Sequence, residues 1–300
     1  MKLYRAKKQS KTTFCPICSS SNFIKYQTGN HKFNLFFCKT CLNGFTNPVP
    51  ENIANYYPAF YWSPPGVTGY LIKFLMACFQ RQRRRRQIIE KYLLNRDILD
   101  VGAGEGYFAK ILKDKFMVTS LEAPFAKIKN KDIIKIDFLK WYPKQKFNAV
   151  VFWQSLEHVN NPVAYLNHAK QLLKQDGYIF IECPNFNCLE SKIFNNNWHH
   201  LDLPRHLFHF TNNGLKTLLL QSGFQIIRQD NVLALDYSII GMLFSLVKKL
   251  KIKHLEILDN RHTHQDLIIL LPFFICSFLL EVILYIFKQS PIQMIIAKKA

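Results

Sequence analysis

The chain has 300 residues, enough for one large and one small domain, and 49% of them are hydrophobic, so a sizeable core can form. Its formal net charge of +20 excludes an acidic surface and favours an acidic partner, which is nucleic acid, anionic lipid or a phosphorylated substrate. The segment from Met1 to Lys11 is basic and lacks an apolar run. We therefore expect no signal peptide and a cytoplasmic protein.

Two C-x2-C knuckles come first in the chain and flank strand-like sequence. In a cytoplasmic protein, eight cysteines favour metal ligation or free thiols over disulfides. Four thiolates complete a closed tetrahedral Zn²⁺ site with no open coordination position, so its role should be structural. We predict a zinc ribbon over residues 1–50 whose metal ligands are Cys15, Cys18, Cys38 and Cys41.

Residues 51–95 form an aromatic connector followed by a basic helix. The segment from Asn55 to Trp62 is dense in aromatic residues, which favours packing between the ribbon and the main domain, with a wall of the substrate pocket as the alternative. Helical spacing from Tyr70 to Leu94 includes the run Arg83 to Arg86. Four consecutive helical residues sweep more than one turn, so at least one arginine should point toward the domain. The run fits either a solvated surface or an anchor for phosphate groups.

A pattern of strand, glycine turn and helix follows the basic helix. The apolar run from Ile98 to Val101 leads into glycines at 102, 104 and 106 and then an apolar-periodic segment, which indicates a strand, a tight turn and the start of a helix. The next apolar run ends at Glu122, whose carboxylate can accept hydrogen bonds from ribose hydroxyls.

Further strands and helices alternate to the end of the chain. Strands are predicted over 133–136, 149–153, 178–182, 224–228 and 293–298, with one helix beginning at Pro162 after Asn161 and another capped by Thr211 or Asn212. Repeated βα units predict a parallel sheet with helices on both faces and ligands at the carboxyl ends of its strands.

Residues 100–106 resemble the first motif of class I S-adenosylmethionine-dependent methyltransferases. With the Cys-Pro-x-Cys ribbon, Gln154 to Val159 and Pro204 to Thr211, the chain resembles a bacterial group whose core is similar to that of the ubiquinone-type O-methyltransferases. The resemblance implies an α/β, Rossmann-like, seven-stranded methyltransferase sheet of order 3-2-1-4-5-7-6 over residues 96–300. It implies S-adenosylmethionine as cofactor, bound by Asp100, Gly102, Gly104, Gly106, Glu122, Asp137, Phe152, Gln154 and Ser155.

Methyl transfer requires an aligned nucleophile and, for a hydroxyl, a base that removes its proton. The candidate bases are His158, His206 and His209, with His199 and His200 in the same region. Helix capping or loop packing is the alternative for His158. In some ubiquinone-type relatives, a Glu-His pair and an acid three residues earlier bind a divalent metal. Gln154 stands at that earlier position here, so we predict no catalytic metal.

The predicted function is S-adenosylmethionine-dependent methylation of a small-molecule or sugar- or lipid-linked acceptor. The alternative is an RNA methyltransferase that binds RNA through the ribbon and the basic surface. The sequence from Trp153 to Leu156 lacks the Asn/Asp-Pro-Pro-Tyr element that base-methylating enzymes use, which makes nucleic acid the less favoured partner. A non-catalytic binder is the third option, and the complete cofactor motif argues against it.

An apolar insertion, residues 236–288, precedes the last predicted strand. Its second apolar stretch, 267–287, is long enough to span a bilayer but is interrupted by Pro272 and Glu281. Both ends of the insertion return to one sheet, so a single crossing is impossible. Three arrangements of the insertion are then possible: a hairpin embedded in the bilayer, helices that lie in the interface, or a soluble lid or dimer surface. The lysines from 248 to 253 favour peripheral association with an anionic membrane surface, on the inner face of the membrane.

Overall fold

The computed structural model describes residues 14–26, 32–58, 61, 79–94, 96–251 and 264–300. Its strands are β1 (Phe23–Tyr26), β2 (Asn34–Cys38), β3 (Gly44–Asn47), β4 (Asp97–Val101), β5 (Met117–Glu122), β6 (Ile134–Lys135), β7 (Phe147–Trp153), β8 (Leu173–Pro184), β9 (Phe208–His209), β10 (Phe224–Val232) and β11 (Ile292–Lys299). Its α-helices are α1 (Phe79–Tyr92), α2 (Tyr107–Leu112), α3 (Pro162–Leu172), α4 (Leu189–Phe194), α5 (Asn212–Gln221), α6 (Leu235–Leu250) and α7 (His264–Ile286).

The main sheet has seven strands in the order β10-β11-β8-β7-β4-β5-β6. The strands from β8 to β6 pair in parallel, whereas β11 pairs antiparallel with both β8 and β10. Numbered along the chain within this sheet, the order is 3-2-1-4-5-7-6, which confirms the predicted topology. The strand order reverses between β4 and β7, and ligands of open α/β sheets bind at such a point.

Apolar side chains cover both faces of this sheet. Along β7, Val150 and Phe152 join the core on one face, and Val151 and Trp153 join the core on the other. This alternation follows from the two-residue period of a strand. The helices are capped as predicted: the Asn161 side chain accepts from the backbone N–H of Ala164 at the start of α3, and Thr211 caps α5.

The ribbon strands β1, β2 and β3 form an antiparallel sheet that is completed by β9, a short strand from the later part of the chain. Phe45 pairs with Phe208 in this sheet, and the backbone N–H of Thr46 donates to the carbonyl of Leu207. Cys15, Cys38 and Cys41 share one hydrophobic core with residues of the main sheet. The ribbon is therefore built into the larger core through β9.

The arginines from 83 to 86 do not share one environment, because some side chains point into the protein and others lie at its surface. Arg85 is buried, its Nη2 donates to Glu182 Oε1 at 2.5 Å, and its guanidinium lies 4.9 Å from the centre of the Trp153 ring. Arg84 reaches the same carboxylate, while Arg86 pairs with Asp114 and Glu90. The expectation of an inward arginine is confirmed, and at least three of the four side chains bind carboxylates of the protein itself.

The insertion between β10 and β11 contains the helices α6 and α7, which pack against each other. This confirms a helical insertion before the last strand. In the part of the chain that the structure describes, no helix has both the length and the apolar character needed to cross a membrane.

Candidate cofactor and histidine site

The turn between β4 and α2 carries three glycines, all with left-handed backbone angles, at φ values of 81°, 58° and 77°. A Cβ on Gly102 would lie 2.4 Å from the Cβ of Ser155, and one on Gly106 would lie 3.0 Å from Asn130 Nδ2. A Cβ on Gly104 would meet no atom within 4 Å. Gly102 and Gly106 are thus required by packing inside the protein, and Gly104 borders the space where a ligand can approach the backbone.

Glu122 ends β5 directly beside this turn. Its Oε2 accepts a hydrogen bond from the backbone N–H of Gly104 at 2.8 Å, and its Oε1 accepts one from the N–H of Ala123 at 2.7 Å. Burial raises the pKa of this carboxyl, and the two backbone donors oppose the rise. The acid predicted to hold a ribose is therefore next to the open glycine.

Asp100, in β4, lies beneath the turn with both carboxylate oxygens buried and without a hydrogen-bond partner in the described structure. Burial raises its pKa to about 7, and the charge of Arg85 opposes the rise. Because both oxygens are inaccessible, Asp100 can influence a ligand at the turn through its charge and not by direct contact.

The other predicted cofactor residues lie at the ends of the same strands. Asp137 caps a 3-10 turn by accepting from the N–H of Leu139, and the Ser155 hydroxyl donates to the carbonyl of Val101 at 2.6 Å. Gln154 has a left-handed φ of 59°, a strained backbone of the kind found at functional sites. Phe152 is fully buried and contacts Phe138 edge-on, so its side chain supports the site from the core and faces no open space.

His158 and His206 come together after β7. Their ring centres are 4.6 Å apart. His158 Nδ1 lies 3.1 Å from the carbonyl oxygen of Arg205, and His206 Nδ1 lies 2.8 Å from that of His200. A carbonyl can only accept, so each Nδ1 carries the proton and each neutral ring keeps the Nε2 lone pair available.

Burial keeps these rings uncharged near neutral pH. It lowers the pKa of His158 to about 3, and the neighbouring His206 contributes to the shift. The pKa of His206 is lowered for the same reason, partly opposed by Asp202. Asp202 accepts from Arg205 at 2.6 Å, and His206 and Arg205 help hold its pKa at about 2 against the effect of burial.

Glu157 completes this cluster. Its two carboxylate oxygens are buried and have no hydrogen-bond partner among the described residues, and burial raises its pKa to about 8. Ligand atoms of Glu157, His158 and His206 lie within 4.8 Å of one another, a group that could hold a metal ion. His206 offers the third ligand atom of this group, whereas in the sequence Gln154 stands at the position where a third ligand was expected.

His209 lies on the ribbon side of this cluster, with its ring centre 6.4 Å from that of His206. It belongs to β9, its ring is buried, and Nε2 lies 3.1 Å from the Thr46 hydroxyl of the ribbon. The three candidate bases therefore lie in one group, in which His206 is between His158 and His209, and His209 is at the junction with the ribbon.

The aromatic connector contacts both the ribbon and the histidine cluster. Tyr56 packs on the ribbon as expected, because its ring centre lies 5.4 Å from that of Phe33 and its hydroxyl accepts from Lys32 at 3.0 Å. Two other tyrosines lie beside the cluster. The Tyr57 hydroxyl lies 3.0 Å from His158 Nδ1, and its ring centre lies 5.4 Å from that of Phe125. The Arg205 guanidinium lies 5.0 Å from the centre of the Tyr61 ring. The density of aromatic residues signalled this segment, but only the tertiary structure identifies what the tyrosines contact. Ala59, Phe60 and Trp62 lie outside the described residues.

The four ribbon cysteines form a second candidate metal group. The sulfur atoms are 3.7 Å apart in the Cys15–Cys41 pair and 3.5 Å apart in the Cys18–Cys38 pair, and all four lie within 4.8 Å of one another. Zn–S bonds of about 2.3 Å place the sulfurs of a tetrahedral site about 3.8 Å apart, so this arrangement suits the metal.

Residues 68–229 match the family model described as a methyltransferase domain. The fold is similar to that of a SAM-dependent methyltransferase from Thermotoga maritima, described as a possible histamine N-methyltransferase, with a TM-score of 0.50, 15% identity and coverage of 82% of this chain and 100% of the other. It is also similar to a phosphoethanolamine N-methyltransferase 2 from Haemonchus contortus in complex with S-adenosyl-L-methionine, with a TM-score of 0.52, 13% identity and coverage of 85% and 62%. Comparison with curated protein sequences gave no match. Because the family model matches more than half of the chain, the protein belongs to the methyltransferase-domain family.

Proposed function

We propose that the protein transfers a methyl group from S-adenosylmethionine to a proton-bearing atom of a small-molecule, sugar-linked or lipid-linked acceptor. The observation that carries the proposal is the placement of two sites on neighbouring strands. The open backbone of Gly104, beside Glu122, follows β4, and the neutral ring of His158 follows β7. The family match and the similarity in fold support the same activity.

The cofactor would be held by residues of the glycine turn. Gly104 would allow close approach to the backbone, Glu122 would accept from the ribose, and the Asp100 carboxyl would contribute charge beneath the turn. Asp137, Gln154 and Ser155 complete the cofactor site. When bound, S-adenosylmethionine supplies an activated methyl group, so the protein need only orient the acceptor and accept its proton.

His158 would be the general base that accepts this proton, with in-line alignment provided by the surrounding side chains. Its Nδ1–H is fixed by the Arg205 carbonyl, which leaves Nε2 to receive the proton. As His158 becomes positively charged, the Asp202 carboxylate of this cluster stabilises the charge. Tyr57 and Arg205 would position the acceptor.

We further propose that Cys15, Cys18, Cys38 and Cys41 bind a structural Zn²⁺. The support is the pair of knuckles and the sulfur spacing, which leaves no open coordination position. The ion would hold β3 in place, and β3 holds β9 and the His206 segment.

The test is to incubate the protein with methyl-labelled S-adenosylmethionine and separate fractions of metabolites, glycolipids and RNA. We expect label in a metabolite or glycolipid fraction, and much less label with Gly104→Val at the same concentration of S-adenosylmethionine. Label in RNA would show that the acceptor is RNA rather than a small molecule or glycolipid. Absence of label in every fraction with the intact protein would contradict methyl transfer. Loss of activity on chelation, restored by a divalent ion while the ribbon keeps its zinc, would reassign His158 as a metal ligand.

A further inference from the structure

The helix α7 has the reverse of the usual amphipathic pattern. In residues 275–287, the buried side chains are Ser277, Glu281 and Leu284, which lie on one helical stripe. The large apolar side chains on the other sides are between 38% and 71% exposed: Ile275, Phe278, Leu279, Leu280, Ile283, Tyr285, Ile286 and Phe287. A helix that buries a carboxyl group and exposes its apolar residues does not match an aqueous surrounding.

The neighbouring helix shows that this reversal is local. α6 buries the apolar residues Ile239, Met242, Leu243 and Val247, as a helix of a water-soluble domain does. α7 instead turns Glu281 toward Glu190 of α4, and Leu284 joins the cluster that includes Met242. The inner stripe thus attaches α7 to the protein, and the outer surface has no partner that the described chain supplies.

Basic side chains lie at the ends of the two helices. Lys248, Lys249 and Lys251 are exposed at the end of α6, and Lys288 is exposed directly after α7. Lys249 also donates to the carbonyl of Ile193. The segments 238–251 and 275–288 contain no acidic residue except the buried Glu281. An apolar surface bordered by lysines complements a lipid bilayer with anionic head groups.

We propose that the outer surface of α7 docks onto an anionic lipid bilayer and lies along the interface. Both ends of the insertion return to the main sheet, through β10 and β11, and α6 buries its apolar residues in the protein, so neither a single crossing nor an embedded hairpin fits. The helix α7, of 23 residues and about 35 Å long, therefore lies parallel to the membrane rather than across it. A second copy of the chain is the less suitable occupant, because two chains of formal charge +20 repel each other. Vesicle binding needs no methyl transfer, so the inference stands apart from the proposed function.

The experiment is flotation of the full chain with vesicles of phosphatidylglycerol and phosphatidylcholine, and with phosphatidylcholine alone. We expect binding to the anionic vesicles and much weaker binding to neutral ones. The triple variant Leu279→Glu, Ile283→Glu and Ile286→Glu should bind anionic vesicles at least tenfold more weakly. The matched control is Leu94→Glu, Met117→Glu and Tyr142→Glu, which makes the same charge change at exposed apolar residues elsewhere and should bind nearly as well as the intact protein.

Hydrogen exchange of the unmodified protein gives an independent measurement that does not depend on the folding of any variant. Anionic vesicles should slow exchange in 275–288 and around 248–251. The proposal would be overturned if the intact protein did not float with anionic vesicles, if both triple variants lost vesicle binding equally, or if the vesicles gave no such protection. A dimer in light scattering that only the α7 variant disrupts, without vesicle binding, would assign the surface to a second copy.

Discussion

The glycine turn and the histidine cluster follow the neighbouring strands β4 and β7, yet they are built differently. At the turn, the Glu122 carboxylate accepts hydrogen bonds from two backbone N–H groups of residues close to it in the fold. At the cluster, Tyr57, His158 and His206 come from three distant segments, and the carboxylate of Glu157 has no hydrogen-bond donor among the described residues. The backbone therefore determines the half of the site proposed to bind the cofactor, whereas tertiary packing determines the half proposed to carry out catalysis.

The largest effect should come from His158→Gln, which separates the two halves. Loss of a general base lowers rates by about 10²–10⁴-fold, so methyl transfer should fall by this amount while the affinity for S-adenosylmethionine stays unchanged. Initial rates and calorimetry measure the two quantities. Equal rates in the variant and the intact protein would remove His158 from the chemistry.

The pH dependence sharpens the same prediction. Burial lowers the pKa of His158 to about 3, so the ring stays unprotonated from pH 8 down to pH 6, and its titration should cause no loss of activity there. A fall in kcat centred near pH 6.5 that His158→Gln abolishes would contradict this account.

Gly104→Val should weaken cofactor binding by about a hundredfold. The branched side chain enters the open space beside Glu122, and the left-handed backbone of residue 104 is strained by any side chain, at a cost of about 1–3 kcal/mol. Calorimetry with S-adenosylmethionine measures the change. Gly104→Ala is the control, because its strain is similar and its volume smaller, and it should bind better than the valine variant.

Cys38→Ser tests whether the ribbon supports the histidine cluster. The Thr46 hydroxyl donates to the carbonyl of His206 at 2.7 Å, so disorder of the ribbon should displace His206 and lower the rate by about tenfold. Metal analysis should show loss of zinc, and cofactor affinity should persist. The control is Cys276→Ser, because Cys276 is exposed, and this variant should change neither the zinc content nor the cofactor affinity. Full zinc retention in Cys38→Ser would refute the site.

The smallest effect concerns two buried carboxyl groups that face each other, Glu190 and Glu281. Burial and the neighbouring Glu281 raise the pKa of Glu190 well above its ordinary value. The folded state therefore binds more protons than the unfolded state, so this contribution to stability is full below the ordinary carboxyl pKa and is lost as pH rises toward the folded pKa. Glu190→Gln removes that titration.

Thermal unfolding between pH 5 and pH 9 measures this difference. The intact protein should lose more stability with rising pH than Glu190→Gln, by on the order of 1–3 kcal/mol. Glu51→Gln, at an exposed position, should follow the intact protein. Parallel curves for Glu190→Gln and the intact protein would show that the pair does not titrate in this range.

Much of the fold follows from local sequence patterns. The glycine turn, Asn161 and Thr211 as caps, and the strand order rest on contiguous motifs or on the two-residue and 3.6-residue periods. The inward Arg85 follows from helix geometry alone. The contacts of Tyr57 with His158, and of His209 with Thr46, join segments that are far apart in the chain. No local pattern specifies such contacts, so the sequence identified the residue types and not their partners.

The pairing of β3 with β9 also sets an order of events during synthesis. Phe45 pairs with Phe208, so the edge of β3 remains open until most of the chain has left the ribosome. Contacts of such long sequence separation form late, because the loop-closure entropy must be overcome first. Until then, β3 presents an unpaired edge to other chains. Nascent chains interrupted before residue 208 should therefore aggregate through this edge more readily than chains that already contain β9.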